Sequence, residues 1–322
     1  MKVTFWGTHG SIPASLTAVD IRRKLRHALR AALDAGLQGD DDLDGFISGL
    51  PFWSQGTYGT NTTCVQVAGG IGREAVLCDA GTGLRDYGVW LKRHGLVEQG
   101  RTYHILMSHL HWDHIQGFPF FIPAFVPGNR IIIHSYHTET EAAFRNQMQG
   151  PCFPVPFDAL PARITFDTKP PLTPFEIDGI RITAFEQNHP GTSYGYRFEK
   201  ADRSVVFSSD SEHKADAYEP DYPYLDFIRD ADLLIFDAQY SLADAKLFKA
   251  EWGHSSNAMA VELATRAHVK RLALCHHEPT SLDESLDAFL QSTRRWREEY
   301  LRQVNLPRDA SPLPEDIFLA YD

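Results

Sequence analysis

Apolar residues recur along this chain with two periods. Short runs bounded by glycine, proline or polar residues occur at Lys2 to Trp6, Tyr58 to Val67, Glu74 to Cys78, Tyr103 to Met107 and Arg130 to His134. Others follow at Gly179 to Phe185, Tyr194 to Phe198, Ser204 to Phe207, Leu233 to Phe236 and Leu272 to Cys275. Their length and their Val, Ile, Phe and Cys content predict strands. Gly69-Gly70 is expected to turn a hairpin between the second and third runs. Helical spacing appears elsewhere. In residues 16–37, Ile21, Leu25, Leu29 and Leu33 recur every fourth residue and define one apolar face. Arg22, Arg23, Lys24, Arg26 and Arg30 mark the opposite side, expected as a solvated face paired with nearby acids. Helices are also predicted over Leu84 to His94, from a Thr138-x-x-Glu141 capping box to about Gln149, through about Ala267, and over Leu282 to Gln303. Seven prolines between 150 and 175 exclude a long helix there and predict a rigid surface connection.

This order of elements is that of an α/β protein. The 322 residues are treated as one domain, with residues 14–56 as a helical insertion, because strand signals resume only at Tyr58. Composition adds exclusions. The net charge of -11 argues against a broad nucleic-acid-binding surface. Cys64, Cys78, Cys152 and Cys275 are scattered and read as thiols in a reducing compartment. No leader pattern and no apolar run of membrane-spanning length is present, so the cytoplasm is the default and no membrane partner is expected.

The chemistry concentrates where predicted strands end. His109, His111, Asp113 and His114 fall within six residues after Tyr103 to Met107. Neutral imidazoles beside a carboxylate form the donor set that zinc and similar divalent ions prefer. Asp79, Asp210, Asp237 and the pair His276-His277 also follow strands, while His189 and His254 sit in loops. Gly7 to Pro13 reads as a plain turn, with His9 at the rim rather than as a ligand.

The spacing His109-x-His111-x-Asp113-His114 resembles the H-x-H-x-D-H signature of the metallo-β-lactamase superfamily. That resemblance implies a four-layer αββα sandwich with two divalent ions, zinc by default and manganese or iron as alternatives. It implies one ion on His109, His111 and His189, and a second on Asp113, His114 and His276, with Asp210 bridging; His277 is the alternative to His276. Asp79 would orient a ligand histidine from behind. The order Asp210, then Gly253-His254-Ser255-Ser256, then His276 resembles the ribonuclease Z-like phosphodiesterase branch. It implies a dinuclear-metal-dependent hydrolase attacking a small or cyclic phosphodiester through a metal-bridging hydroxide. Asp113 and His254 are the catalytic candidates, with Asp237 fixing the His254 tautomer. The alternatives are an RNA-processing endonuclease, for which the basic helix is the argument, and a thioester or lactone hydrolase. A homodimer is left open.

Overall fold

The computed structural model describes residues 1–39, 41–68, 74–97, 100–170, 172–241, 251–304 and 313–322. The first sheet carries six strands in the order β1 (Lys2–Gly7), β2 (Cys64–Ala68), β3 (Glu74–Cys78), β4 (Thr102–Leu106), β5 (Arg130–Ser135) and β6 (Arg163–Thr168). The second carries seven: β13 (Asp316–Leu319), β12 (Arg271–Cys275), β11 (Leu233–Asp237), β10 (Arg203–Ser208), β9 (Ser193–Lys200), β8 (Ile180–Gln187) and β7 (Phe175–Ile177). Both sheets are mixed. Strands β3 to β6 run parallel, as do β10 to β13, and the remaining pairs are antiparallel. The helices are α1 (Ala18–Asp34), α2 (Leu43–Ser48), α3 (Phe52–Gln55), α4 (Gly83–Arg93), α5 (Trp112–Ile115), α6 (Thr140–Gln147), α7 (Pro223–Ile228), α8 (Asn257–Arg266) and α9 (Asp283–Gln303).

Period-two alternation builds the layers, because successive strand side chains point to opposite faces. Val205, Phe207, Ile235 and Ala273 point inward and meet Val65, Val67, Val76 and Leu106 of the other sheet. Their neighbours Val206, Leu234, Phe236, Leu272 and Leu274 point outward, under Leu263, Leu286 and Leu290 of α8 and α9. On the far side Leu77, Tyr103, Ile105 and Ile133 lie under Leu84, Tyr87 and Phe144 of α4 and α6. Helix, sheet, sheet and helix therefore stack with three apolar layers between them, the αββα sandwich expected. No helix among the described residues is long and apolar enough to cross a membrane.

Several local expectations are corrected. Helix α6 starts at Thr140 with Glu139 as its cap residue and no side-chain cap bond, so the Thr138 capping box does not form. Thr140 Oγ1 instead donates to the His137 carbonyl (2.8 Å) and lies 2.7 Å from Ser135 Oγ, drawing the helix start onto the end of β5. The proline-rich stretch is not only a connection: Arg163–Thr168 pairs along all of β5 as an edge strand, in a window that holds no proline. Strand β13 lacks a strong pattern of its own and is drawn in by pairing with β12. Gly69-Gly70 lies outside the described residues. Helix α1 does form, yet Ile21, Leu25, Leu29 and Leu33 stand in solvent, while Lys24 turns inward to Asp283. Its basic residues are therefore not all on a solvated face.

A buried polar ladder crosses the first sheet. His104 Nδ1 lies 2.9 Å from His134 Nε2, and His134 Nδ1 lies 2.9 Å from Asp167 Oδ2. Burial, then the neighbouring His104, pushes His134 down to about 4, and burial also lowers His104. A histidine depressed in the folded state supports folding fully above its unfolded value near 6.5. That support is lost as pH falls from about 6.5 toward 4, because the unfolded chain then binds the extra proton. Wild type should therefore lose on the order of 3 kcal/mol more stability than His134→Gln over that window. Urea unfolding of both proteins at several pH values measures the difference; parallel curves would contradict the assignment.

Candidate metal centre

Parallel strands end on the same side, and functional groups of open α/β sheets gather beyond their carboxyl ends. Here β3 delivers Asp79, β4 delivers His109 to His114, β8 delivers His189, β10 delivers Asp210, β11 delivers Asp237 and β12 delivers His276. Three of these residues leave their strands with positive φ: Asp79 at 62°, Asp210 at 45° and His276 at 60°. Such backbone costs on the order of 1–3 kcal/mol at a residue other than glycine and marks positions where geometry is imposed by the surroundings.

All seven expected ligands converge. The donor atoms of His109, His111, His189 and Asp210 lie within 4.8 Å of one another, as do those of Asp113, His114 and His276. Asp210 stands between the two groups. Its Oδ2 is 3.7 Å from His109 Nε2 and 3.8 Å from His189 Nε2, while its Oδ1 is 3.3 Å from His114 Nε2 and 3.2 Å from His276 Nε2. Asp113 Oδ2 approaches His114 Nε2 at 3.3 Å and His276 Nε2 at 3.4 Å. His277 points away and its Nε2 lies 2.8 Å from the Ala320 carbonyl, so between the two adjacent histidines it is His276 that faces the cluster.

The outer contacts decide which imidazole nitrogen faces inward. Asp79 accepts from the Ser108 backbone N–H (2.7 Å) and hydroxyl (2.8 Å), and its Oδ2 lies 2.8 Å from His114 Nδ1. Thr82 holds the cap position of helix α4, which leaves Asp79 to this network. His189 Nδ1 donates to the Gly253 carbonyl at 2.8 Å. Gly253 has φ 84°, and a Cβ there would sit 2.3 Å from His189 Nδ1, so only glycine fits this close approach. Held from behind, the rings turn Nε2 toward the centre, a recurrent arrangement for metal-binding histidines.

The donor set fits divalent cations. The Nε2 atoms of His109, His114 and His276 are buried without a hydrogen-bond partner, which is costly unless a ligand is taken. Burial opposes the charge on Asp210 and Asp113, but the surrounding histidines, His114 foremost, hold both carboxyls below the usual range. Burial likewise opposes charge on His276, yet Asp210 and its neighbours push it up to about 9. Two buried carboxylates that draw positive charge this strongly make a cation site. His109 is pushed down, chiefly by burial, and stays a neutral donor.

His254 lies at the margin of the cluster. Its Nδ1 is 2.9 Å from Asp237 Oδ2 and 4.0 Å from Asp210 Oδ2, and its ring stacks on His276 with centroids 4.8 Å apart. The contact with Asp237 is the pairing that the sequence reading expects. Three contacts were not read from the sequence. The Ser11 N–H donates to Asp113 Oδ2 at 2.8 Å, and Gly10 passes so close to the His276 ring that a Cβ would lie 2.4 Å from it. The turn after β1 is therefore part of the site rather than a plain turn; its two glycines with flanking hydroxyls were the available signal. Ser108, directly before His109, ties Asp79 to the ligand loop. His9 is buried and packs edge-on against His277, outside the cluster.

Comparison with known proteins places this geometry. The model of the β-lactamase superfamily domain matches residues 74–277. Ribonuclease Z of Brevibacillus brevis is 36% identical over 85 residues, which is 26% of this chain and 24% of that protein. Ribonuclease Z of Oceanobacillus iheyensis is 22% identical over 267 residues, covering 64% of this chain and 84% of that protein. Among solved structures, the metallo-β-lactamase fold protein YhfI from Bacillus subtilis superposes with a TM-score of 0.61 at 17% identity, covering 99% of this chain and 95% of that one. The short form of human tRNase Z superposes at 0.54 with 20% identity, covering 86% and 93%. At these identities the two structures establish the fold. The family match spans more than half of the chain and includes every strand-end donor described above except the turn at Ser11: the chain belongs to the β-lactamase superfamily, and its site has the donor set of a metal-dependent hydrolase.

Proposed function

We propose that the protein is a dinuclear-metal phosphodiesterase acting on a small or cyclic phosphodiester. His109, His111, His189 and one oxygen of Asp210 would hold one ion; Asp113, His114, His276 and the other oxygen would hold the second. Zinc suits the histidine-rich set best, with manganese or iron as alternatives. Bound there, the ions supply Lewis-acid activation of water and neutralise charge on the phosphate oxygens. The chain's own residues do the rest. Asp79, through His114, and Gly253, through His189, hold the ligand rings in place. The Ser11 N–H holds Asp113, which keeps its anionic form.

The observation that carries the phosphodiester reading is the His254–Asp237 contact. Asp237 accepts from Nδ1 and so leaves Nε2 free to face substrate. Once Nε2 takes up a proton, the imidazolium, its charge balanced by the Asp237 carboxylate, can give that proton to a departing alkoxide near neutral pH. Hydrolysis of a thioester or lactone on the same centre leaves His254 without a task. The two relatives named Ribonuclease Z favour phosphodiester chemistry and keep RNA as the second reading. The net charge of -11 and the lack of a basic run in residues 150–175 favour the small substrate.

The test is turnover of bis(p-nitrophenyl) phosphate, a 2′,3′-cyclic nucleotide and a short RNA by zinc-loaded and manganese-loaded protein, beside a thioester and a lactone. Metal-dependent cleavage of the first two, insensitive to salt, is expected. Cleavage of RNA alone, weakening with salt, would select the endonuclease reading. Turnover confined to the thioester or lactone would refute phosphodiester chemistry.

A further inference from the structure

A cavity of about 470 Å³ opens beside the metal centre, on the side of His254. Its volume is that of a small-ligand cleft. Two donor-bearing strand ends supply its wall. Ala238, Gln239 and Tyr240 follow directly on Asp237, and Glu278 follows two residues after His276. Leu286 and Phe289 of α9 form the apolar side. This wall is fixed in the same frame as His254. The Gln239 N–H donates to Asp237 Oδ1 at 3.2 Å. The Tyr240 N–H donates to the Ser255 carbonyl at 3.2 Å, and the Asn257 N–H donates to the Tyr240 carbonyl at 3.1 Å. The Tyr240 ring meets the His254 ring edge-on, with centroids 5.9 Å apart.

One group in this wall has no use within the fold. Gln239 is 7% exposed, and its Oε1 is buried without a hydrogen-bond partner. An acceptor left in that state costs about 1–3 kcal/mol, which the N–H of a ligand would recover. We infer that the cavity is the subsite for the organic group carried by the leaving oxygen, and that it takes a nucleobase with an exocyclic amine, whose N–H is received by Gln239 Oε1. This rests on the phosphodiester reading above.

Three features select this occupant. The first is position. The residue that gives its proton to the leaving oxygen packs against Tyr240, so the group on that oxygen is directed into the cavity. The second is charge. Among the described residues that line the cavity there is no lysine or arginine, and Glu278 is the one carboxylate. A second phosphate is repelled there, whereas an uncharged ring is accepted. The third is the polarity of the walls. Leu286 and Phe289 offer an apolar surface to a planar ring. Gln239 Oε1 and the Glu278 carboxylate are both acceptors, and an amine brings two N–H donors where the carbonyl of uracil or hypoxanthine brings none.

Calorimetric binding to the metal-loaded full chain tests this without requiring turnover. The two probes are adenosine 3′-monophosphate and the same nucleotide with hydrogen in place of the purine amino group. The amine should tighten binding about tenfold, as one satisfied buried acceptor implies. Gln239→Leu should erase that difference, and Gln239→Glu, which keeps an acceptor, should retain it. Ser285→Trp, at an exposed position of α9 on the cavity, should weaken both nucleotides about tenfold with metal content and circular dichroism unchanged. The preference for the amine should reappear in kcat/KM for the corresponding 2′,3′-cyclic phosphates. Equal affinity for the two probes in wild type would overturn the inference, as would a difference that survives Gln239→Leu or binding untouched by Ser285→Trp. An amine preference in binding with no turnover of either cyclic phosphate would place the failure in the phosphodiester reading; turnover of both without preference would place it in the subsite.

Discussion

Asp210→Ala is expected to lose bound metal and activity together, the largest effect of any single substitution in this chain. The two oxygens of Asp210 divide between the groups, Oδ2 toward His109 and His189 and Oδ1 toward His114 and His276. No other side chain in the cluster reaches both. Removing it takes an anionic donor from each position and leaves several buried imidazoles without their counter-charge, a loss of the kind that costs about 3–5 kcal/mol when one partner of a buried pair is deleted. The metal content of dialysed protein, read by elemental analysis, should fall from about two ions per chain to below one under the two-ion reading. Turnover should fall by at least about 10³-fold. Asp210→Asn separates size from charge. It keeps the shape of the side chain, yet one of its two oxygens becomes an amide nitrogen that cannot bind a cation, so it should resemble the alanine protein. Full metal content with near-normal turnover in either variant would refute the bridging role.

His254→Ala is expected to show the opposite pattern, with metal retained and turnover lost. General acid catalysis by a positioned histidine is worth about 10²–10⁴-fold. That contribution should depend on the leaving group. A p-nitrophenolate departs without a proton, so bis(p-nitrophenyl) phosphate should lose least, and a substrate with an alkoxide leaving group should lose most. Asp237→Asn should fall between wild type and His254→Ala, because the amide can present its N–H and hold the imidazole in the wrong tautomer. The donor atoms of His254, Asp210 and His276 also lie within 4.8 Å of one another, which raises the competing role of metal ligand. The two roles part on a single readout: loss of metal in His254→Ala would make it a ligand, and an equal loss of turnover on both leaving groups would remove the acid role.

The candidate ligands are legible in the sequence because each is a local event. A short buried strand ends, and the residue after it carries a donor. Strand periodicity marks the first and residue identity the second, so the donor-bearing loops at Asp79, His109 to His114, His189, Asp210 and His276 can be read without knowing how the sheets meet. The family resemblance then orders them. The sandwich was implied by that resemblance, and the structure shows it as strands apolar on both faces, one covered by the other sheet and one by helices.

Tertiary structure decided what depends on partners distant in sequence. His276 and His277 are adjacent and chemically identical; a φ of 60° at His276 and the Ala320 carbonyl on His277 send one ring inward and the other away. The Ser11 N–H on Asp113 joins residues 102 positions apart and leaves no spacing signal, whereas the sequence reading already pairs His254 with Asp237 and the structure supplies the 2.9 Å contact. Strand β13 exists because β12 offers it an edge. Helix α1 gives the sharpest division. Its sequence determines that one face is apolar, because side-chain identity and 3.6-residue periodicity are local properties. Which face meets the body is a competition among contacts elsewhere, and Asp283 with the carbonyls of Trp53 and Gly56 won it through Lys24.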